Sequence, residues 1–246
     1  MEKEKHKHKV DYTVIIPTYN ERQNVGILVK LLFESFSELK TTWELIIVDD
    51  SSPDGTADTV QQLQEYYKEV QMKLISREGK LGLGSAYIEG FKYSNGEFII
   101  LMDCDLSHHP KYISQLIAKQ NQGDFDIVSG SRYIHGGGIS GWPWYRVLIS
   151  YGANMLGRIL LQPRATDLTG SFRLYRRHVF KRILECNMMS KGYAFQMEII
   201  VLATRLGYSI ADVPILFVDR LYGTSKLGKN EILGYIKGLV KLFWTF

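Results

Sequence analysis

The segment Phe98–Pro110, FIILMDCDLSHHP, decides how the chain is read. Residues Phe98 to Met102 are all apolar, and Asp103, Cys104 and Asp105 follow at once. So short an apolar run, bounded by polar residues, fits a strand buried on both faces, the kind found inside parallel sheets. Two carboxylates at its end need a reason. Residues two apart on a strand share a face, and just past the strand end they can converge on one point. Without a cation they would repel, and one would be driven towards protonation. A hard divalent ion, Mg2+ or Mn2+, removes the conflict, because it takes oxygen ligands and shares its shell with phosphate groups. Asp103 and Asp105 are therefore the candidate metal ligands.

Outward from this segment the same pattern repeats. Tyr12–Pro17, Glu44–Asp49, Met72–Ser76 and Asp126–Ser129 read as further strands, rich in β-branched residues. Stretches of helical period lie between them at Glu21–Leu39, Thr56–Lys68, Gly84–Ser94 and Pro110–Asn121. Alternation of this kind predicts an α/β fold, a single mainly parallel sheet flanked by helices and wound with right-handed crossovers. Such sheets bind ligands at the carboxyl ends of their strands. Three of those ends carry acidic or polar clusters here: Pro17-Thr18-Tyr19-Asn20-Glu21, Asp49-Asp50-Ser51-Ser52-Pro53-Asp54-Gly55, and Asp103-Cys104-Asp105.

Each cluster also has an ordinary reading. Pro53-Asp54-Gly55 is a turn signal, which leaves Asp50 as the better acceptor for a nucleoside, while Asp49 serves either that role or loop bracing. Gly79-Lys80-Leu81-Gly82-Leu83-Gly84-Ser85 lacks Walker spacing and fits a tight helix start whose N–H groups can still face a ligand. His108 and His109 are adjacent and complete no zinc set; Ser107 or His108 suits the cap of the helix that begins at Pro110. Arg132, Arg146, Arg220 and Lys226 are each compatible with solvated surface charge, and together they suit anionic groups that a metal leaves unneutralised. Gly136-Gly137-Gly138 and Gly141 read as a mobile loop over the rim.

Composition narrows the class. The chain has 246 residues, 45% hydrophobic and 23% charged, which fits one globular domain. Its net charge of +4 is modest and gives no case for nucleic acid. The tail MEKEKHKHK reads as a basic, mobile end over residues 1–10. Two cysteines, Cys104 and Cys186, far apart and without metal spacing, point to a reducing compartment. The first residues carry no secretory pattern, and no window offers the roughly 18 apolar residues of a membrane span. Two stretches nonetheless mix Trp, Phe, Leu and Ile with basic residues: Trp142–Leu161, which suits either a bilayer surface or the sheet, and Glu231–Phe246, read as an amphipathic helix for membrane or partner contact.

An ordered set of motifs then resembles a known family. VIIPTYNERQNV, IIVDDSSPDGT, KLGLGSAY, MDCDLSHHPKYI, DIVSGSRY, DLTGSFRLYRR, SKGYAFQMEI and VPILFVDRLYGTSKLG run from about Val14 to about Gly228. The set resembles family 2 glycosyltransferases and, within them, the dolichyl-phosphate mannosyltransferases. The resemblance implies a glycosyltransferase A-type catalytic domain over residues 11–230, GDP-mannose as donor, and dolichyl phosphate as acceptor. It implies that Pro17, Tyr19, Glu21, Val48 and Asp50 hold the guanosine part, and that Asp103, Cys104 and Asp105 lie at the diphosphate and its Mg2+ or Mn2+. Arg132, Arg220 and Lys226 would meet donor or acceptor phosphates, with Arg146 on the acceptor side. Some microbial relatives carry a Gln where Ser107 stands, and some carry C-terminal membrane spans that this sequence does not show. The latter difference resembles eukaryotic forms that depend on small membrane-anchoring subunits, working peripherally on the cytosolic face of the endoplasmic reticulum membrane for protein glycosylation and GPI-anchor synthesis.

Residues and resemblance agree on an inverting displacement, with Asp105 and Arg132 as the catalytic pair. A phosphate monoester is largely dianionic near neutral pH, its second pKa being about 6, so the nucleophile needs no general base. Two other readings stand beside it: a polyprenyl-phosphate glucosyltransferase using a UDP-sugar, and a non-catalytic nucleotide-sugar-binding membrane scaffold. The roles of Asp167 and Arg173 stay open between acceptor contact and loop bracing.

Overall fold

The computed structural model describes residues 9–186, 188, 192, 194–220, 222 and 229–245. Its first half follows the sequence pattern with small shifts at element ends: β1 (Tyr12–Thr18), α1 (Arg22–Ser37), β2 (Trp43–Asp49), α2 (Thr56–Tyr66), β3 (Gln71–Ser76), α3 (Leu83–Lys92), β4 (Phe98–Leu101), α4 (Ile113–Gly123) and β5 (Ile127–Ser131). The second half adds β6 (Gly138–Ser140), α5 (Trp144–Leu161), β7 (Arg173–Arg176), α6 (Arg177–Leu184), α7 (Ala194–Arg205), β8 (Ile210–Pro214), β9 (Leu216–Val218) and α8 (Lys229–Thr245).

Seven strands form one sheet in the order β3-β2-β1-β4-β7-β5-β8, with β7 antiparallel to both neighbours and the other pairs parallel. Period-two alternation sends Val14 and Ile16 of β1 into a core shared with Val25, Leu28 and Leu32 of α1, and Ile15 into the opposite core with Tyr87 and Phe195. Both faces are therefore covered by helices, as strands this apolar require. Helix α3 approaches β1 so closely that a Cβ on Gly90 would lie 2.5 Å from Ile15 Cγ2. Only glycine fits there.

Antiparallel β7 has a consequence for the rim. Its first residue, Arg173, pairs with Leu101, the last residue of β4. The segment entering β7 thus arrives at the same end of the sheet as the segment leaving β4.

Two expectations change. The glycine-rich stretch is built into a second, two-stranded parallel sheet of β6 and β9, because backbone pairing from Gly138 to Ser140 satisfies its polar groups. The helix cap after β4 is His109, whose Nδ1 accepts from the Lys111 N–H at 3.1 Å ahead of the 3-10 turn Pro110–Tyr112; Ser107 and His108 are turned inward and buried. Most of the basic tail lies outside the described residues.

Candidate active site

The three acidic strand ends meet at one cleft. Each follows a parallel strand, β1, β2 or β4, and each turns sharply through a left-handed residue: Asn20 (φ 57°), Ser51 (φ 54°) and Leu106 (φ 62°). A cavity of about 260 Å³ is lined by Pro17, Thr18, Tyr19, Glu21, Asp50, Asp103, Cys104, Asp105 and Arg220, with Lys80, Gly82, Leu83 and Ala86 from the start of α3 and with Gly192.

On one side Asp50 is held by Arg77, whose Nε donates to Asp50 Oδ1 at 2.7 Å while its Nη2 stands 2.5 Å from the same oxygen. Arg77 also donates to Ser85 Oγ at 2.8 Å, so one guanidinium ties the end of β2 to the start of α3. Asp49 is turned away from the cleft, accepting from Thr18 Oγ1 at 2.8 Å and Ser52 Oγ at 2.6 Å; it braces the loop. Lys80 Nζ stands 5.0 Å from the centre of the Tyr19 ring. Glu21 accepts from Asn24 Nδ2 at 2.6 Å.

On the other side lies the acidic corner. Asp103 accepts from Tyr87 Oη at 3.1 Å through Oδ1 and from Ser171 Oγ at 2.7 Å through Oδ2. Asp105 accepts from the Ser107 N–H at 3.1 Å through Oδ1, and its Oδ2 meets Arg220 Nη2 at 3.1 Å. Two carboxylates on one cleft wall, both oriented by hydrogen bonds, are a hard-oxygen donor pair that suits Mg2+ or Mn2+ with remaining positions filled by phosphate and water. Among the described residues no third Asp, Glu, His or Cys joins them. His108 comes near, its Nδ1 3.9 Å from Asp103 Oδ2, between the rings of Phe172 and Phe217. Burial pushes that imidazole down despite the pull of Asp103 and Asp105, so it stands neutral and forms no ion pair.

Arg132 is outside the cleft lining and almost fully buried. Its Nε and Nη2 fork onto Asp167 at 2.7 and 2.8 Å, and Nη2 also reaches Thr169 Oγ1 at 2.6 Å. Burial would raise the Asp167 carboxyl, but the Arg132 guanidinium overrides it and holds the group down at about 2. Asp167 and Arg173 are both bracing residues: Arg173 donates to the Asp167 carbonyl at 2.9 Å and to the Gln196 carbonyl at 2.7 Å, entirely inside the protein. Arg146 packs its guanidinium 3.8 Å from the Trp142 ring centre and 4.0 Å from Asp219 Oδ1, away from the cleft. Val48 is buried in the core beneath the rim, against α3, with its carbonyl accepting from Thr18 Oγ1 at 3.5 Å. Lys226 lies outside the described residues.

Residues 13–184 match glycosyl transferase family 2. The chain belongs to this family. It is 36% identical over 222 residues to polyprenol monophosphomannose synthase of Mycolicibacterium smegmatis, covering 89% of this chain and 82% of that one. It is 40% identical over 235 residues to dolichol-phosphate mannosyltransferase of Pyrococcus furiosus, covering 94% of this chain and 63% of that one. This chain therefore spans less than two thirds of the archaeal relative. Among solved structures, a mannosyltransferase from Pyrobaculum calidifontis in complex with GDP-Man and Mn2+ superposes with a TM-score of 0.62 at 15% identity, over 97% of this chain and 64% of that one. The fold is the glycosyltransferase A type that the motifs implied.

Several site residues of this family 2 domain escape sequence reading. Arg77, Tyr87, Ser171 and Lys80 are polar residues inside or beside quoted motifs, yet nothing local marks them. Tyr87 reaches Asp103 across 16 residues of sequence and Ser171 across 68. Their signal lies in the sheet order.

Proposed function

We propose that the chain transfers mannose from GDP-mannose to dolichyl phosphate, giving dolichyl-phosphate mannose and GDP. What carries the reading is the single cleft where Asp50, Tyr19 and Glu21 face Asp103, Asp105 and Arg220, in a chain 36% and 40% identical to two polyprenol-phosphate mannose-forming relatives. The Asp50 half suits a nucleoside, and the Asp103–Asp105 half suits the diphosphate.

Asp103 and Asp105 would hold Mg2+ or Mn2+, which when bound neutralises charge on the departing diphosphate. The chain's own residues do the remainder. Tyr87 and Ser171 fix Asp103, the Ser107 N–H fixes Asp105, and Arg220 offers a guanidinium to a phosphate oxygen. Arg132 stands behind the cleft, its charge balanced by Asp167, and is proposed for the acceptor phosphate. The lipid phosphate attacks the anomeric carbon as its bond to the diphosphate oxygen breaks, with inversion and without proton transfer. The dianionic nucleophile needs no general base.

The acceptor's tail calls for a bilayer surface. No described helix is long and apolar enough to cross a membrane. Helix α5 instead exposes Trp144 (77%), Leu148 (65%), Met155 (62%) and Ile159 (59%), and α8 exposes Trp244 (82%). Helix α5 has no acidic residue, and Arg158, Lys237 and Lys241 are exposed on the two helices, complementary to anionic headgroups. Peripheral residence on the cytosolic face of the endoplasmic reticulum, with small membrane subunits, follows from this reading. The test is transfer of radiolabelled mannose from GDP-mannose to dolichyl phosphate in vesicles, with UDP-glucose alongside. Product from UDP-glucose alone would replace the reading by the glucosyltransferase, and product from neither would leave a binding scaffold.

A further inference from the structure

Helix α5 carries one buried polar side chain in its middle, and its position is informative. Asn154 is 4% exposed. Its Nδ2 donates to the Thr166 carbonyl at 2.7 Å, and its Oδ1 accepts from the Leu168 N–H at 3.0 Å. Both ends of the amide are spent on the backbone on either side of Asp167. Three residues from Asn154, Gly157 lets the helix sit so close that a Cβ would fall 2.6 Å from Leu168 Cδ1 and 2.9 Å from Tyr235 Oη.

The segment so gripped bridges both halves of the chemistry. Asp167 and Thr169 hold Arg132, and Ser171 holds Asp103. The opposite face of α5 is the exposed apolar face described above. A rigid helix between these two faces transmits a shift at one to the other, since close-packed contacts do not stretch.

We propose that Asn154 is a positioning residue that ties the lipid-facing helix α5 to the placement of Arg132, so that seating on a bilayer sets the acceptor side of the site. In its kinetic arm the proposal rests on the mannosyltransferase reading. Asn154→Leu leaves the Leu168 N–H and Thr166 carbonyl unpaired and frees the Asp167 segment. The KM for polyprenyl phosphate should rise about tenfold and the nucleotide-sugar KM clearly less, since the freed segment reaches the donor side only through Ser171 while Tyr87 still holds Asp103. Asn154→Asp keeps the acceptor for Leu168 and should recover part of the loss. A second arm needs no turnover: hydrogen exchange with and without phosphatidylcholine–phosphatidylserine vesicles. Vesicles should slow exchange across residues 166–171 in the wild type and leave it unchanged in Asn154→Leu, although that variant still binds them. Gly157→Ala, which pushes the same segment, serves if Asn154→Leu does not fold. Equal rises in both KM values, or the same vesicle response in both proteins, would overturn the proposal. A wild type that binds vesicles but transfers no mannose would instead overturn the mannosyltransferase reading, and the exchange arm would still decide Asn154.

Discussion

Asp105 shows what a single side chain contributes. Asp105→Ala removes one of the two carboxylates of the acidic corner, and transfer is expected to fall roughly 100- to 1000-fold, with the melting temperature nearly unchanged. Full activity at saturating Mg2+ would sink the assignment. Asp167 behaves in the opposite way, because it supports the fold as well as the site. Asp167→Asn strands the Arg132 charge inside the protein and should cost about 3–5 kcal/mol in urea unfolding. Its pH signature has a definite sign. The folded carboxyl sits at about 2, below its unfolded value of 3.8, so its contribution is complete above about pH 4 and disappears as pH falls through about 2. Acid titration of wild type against Asp167→Asn should show the difference between them shrinking in that window. Sequence made Asp103, Asp105 and Asp50 legible because strand ends expose them in a fixed place. Asp167 was ambiguous because its partner Arg132 lies 35 residues away.

At the scale of elements, α8 joins two roles. Leu239 and Leu242 are 2% and 1% exposed, packed into the core, while Phe243 and Trp244 face outward. Removing the whole helix would therefore damage the fold along with the surface. Exchanging Phe243 and Trp244 for serine is the cleaner test: flotation with anionic vesicles should weaken, with stability held within about 0.5 kcal/mol. At the sheet, Gly90→Ala forces a methyl onto Ile15 and should cost about 1–3 kcal/mol in denaturant unfolding. The elements that periodicity found are β1 to β5 and the helices between them, where apolar runs are unbroken. It missed β7 because Arg173-Leu174-Tyr175-Arg176 does not look apolar, although Arg173 is wholly buried through its hydrogen bonds. It missed β6 and β9 because three-residue strands give too little pattern to read.

For the molecule as a whole, the proposed bilayer contact would combine apolar area with a modest positive charge of +4. Raising NaCl should loosen vesicle binding without abolishing it, since salt screens the charge and leaves the apolar term. A salt-independent titration would assign the contact to apolar surface alone. The reversed strand β7 also sets a timetable for the molecule. The half of the cleft proposed for the nucleoside, and Tyr87 beneath Asp103, are synthesised by residue 105, whereas Ser171, the second anchor of Asp103, and Asp167 and Thr169, the anchors of Arg132, come later. Pairings that join distant parts of a chain form late, because the intervening loop must first be closed. Under the proposed function, a ribosome-bound chain would hence acquire a purse for the nucleotide well before it could steer the lipid phosphate, and competence would arrive only once β7 had slotted between its two older neighbours.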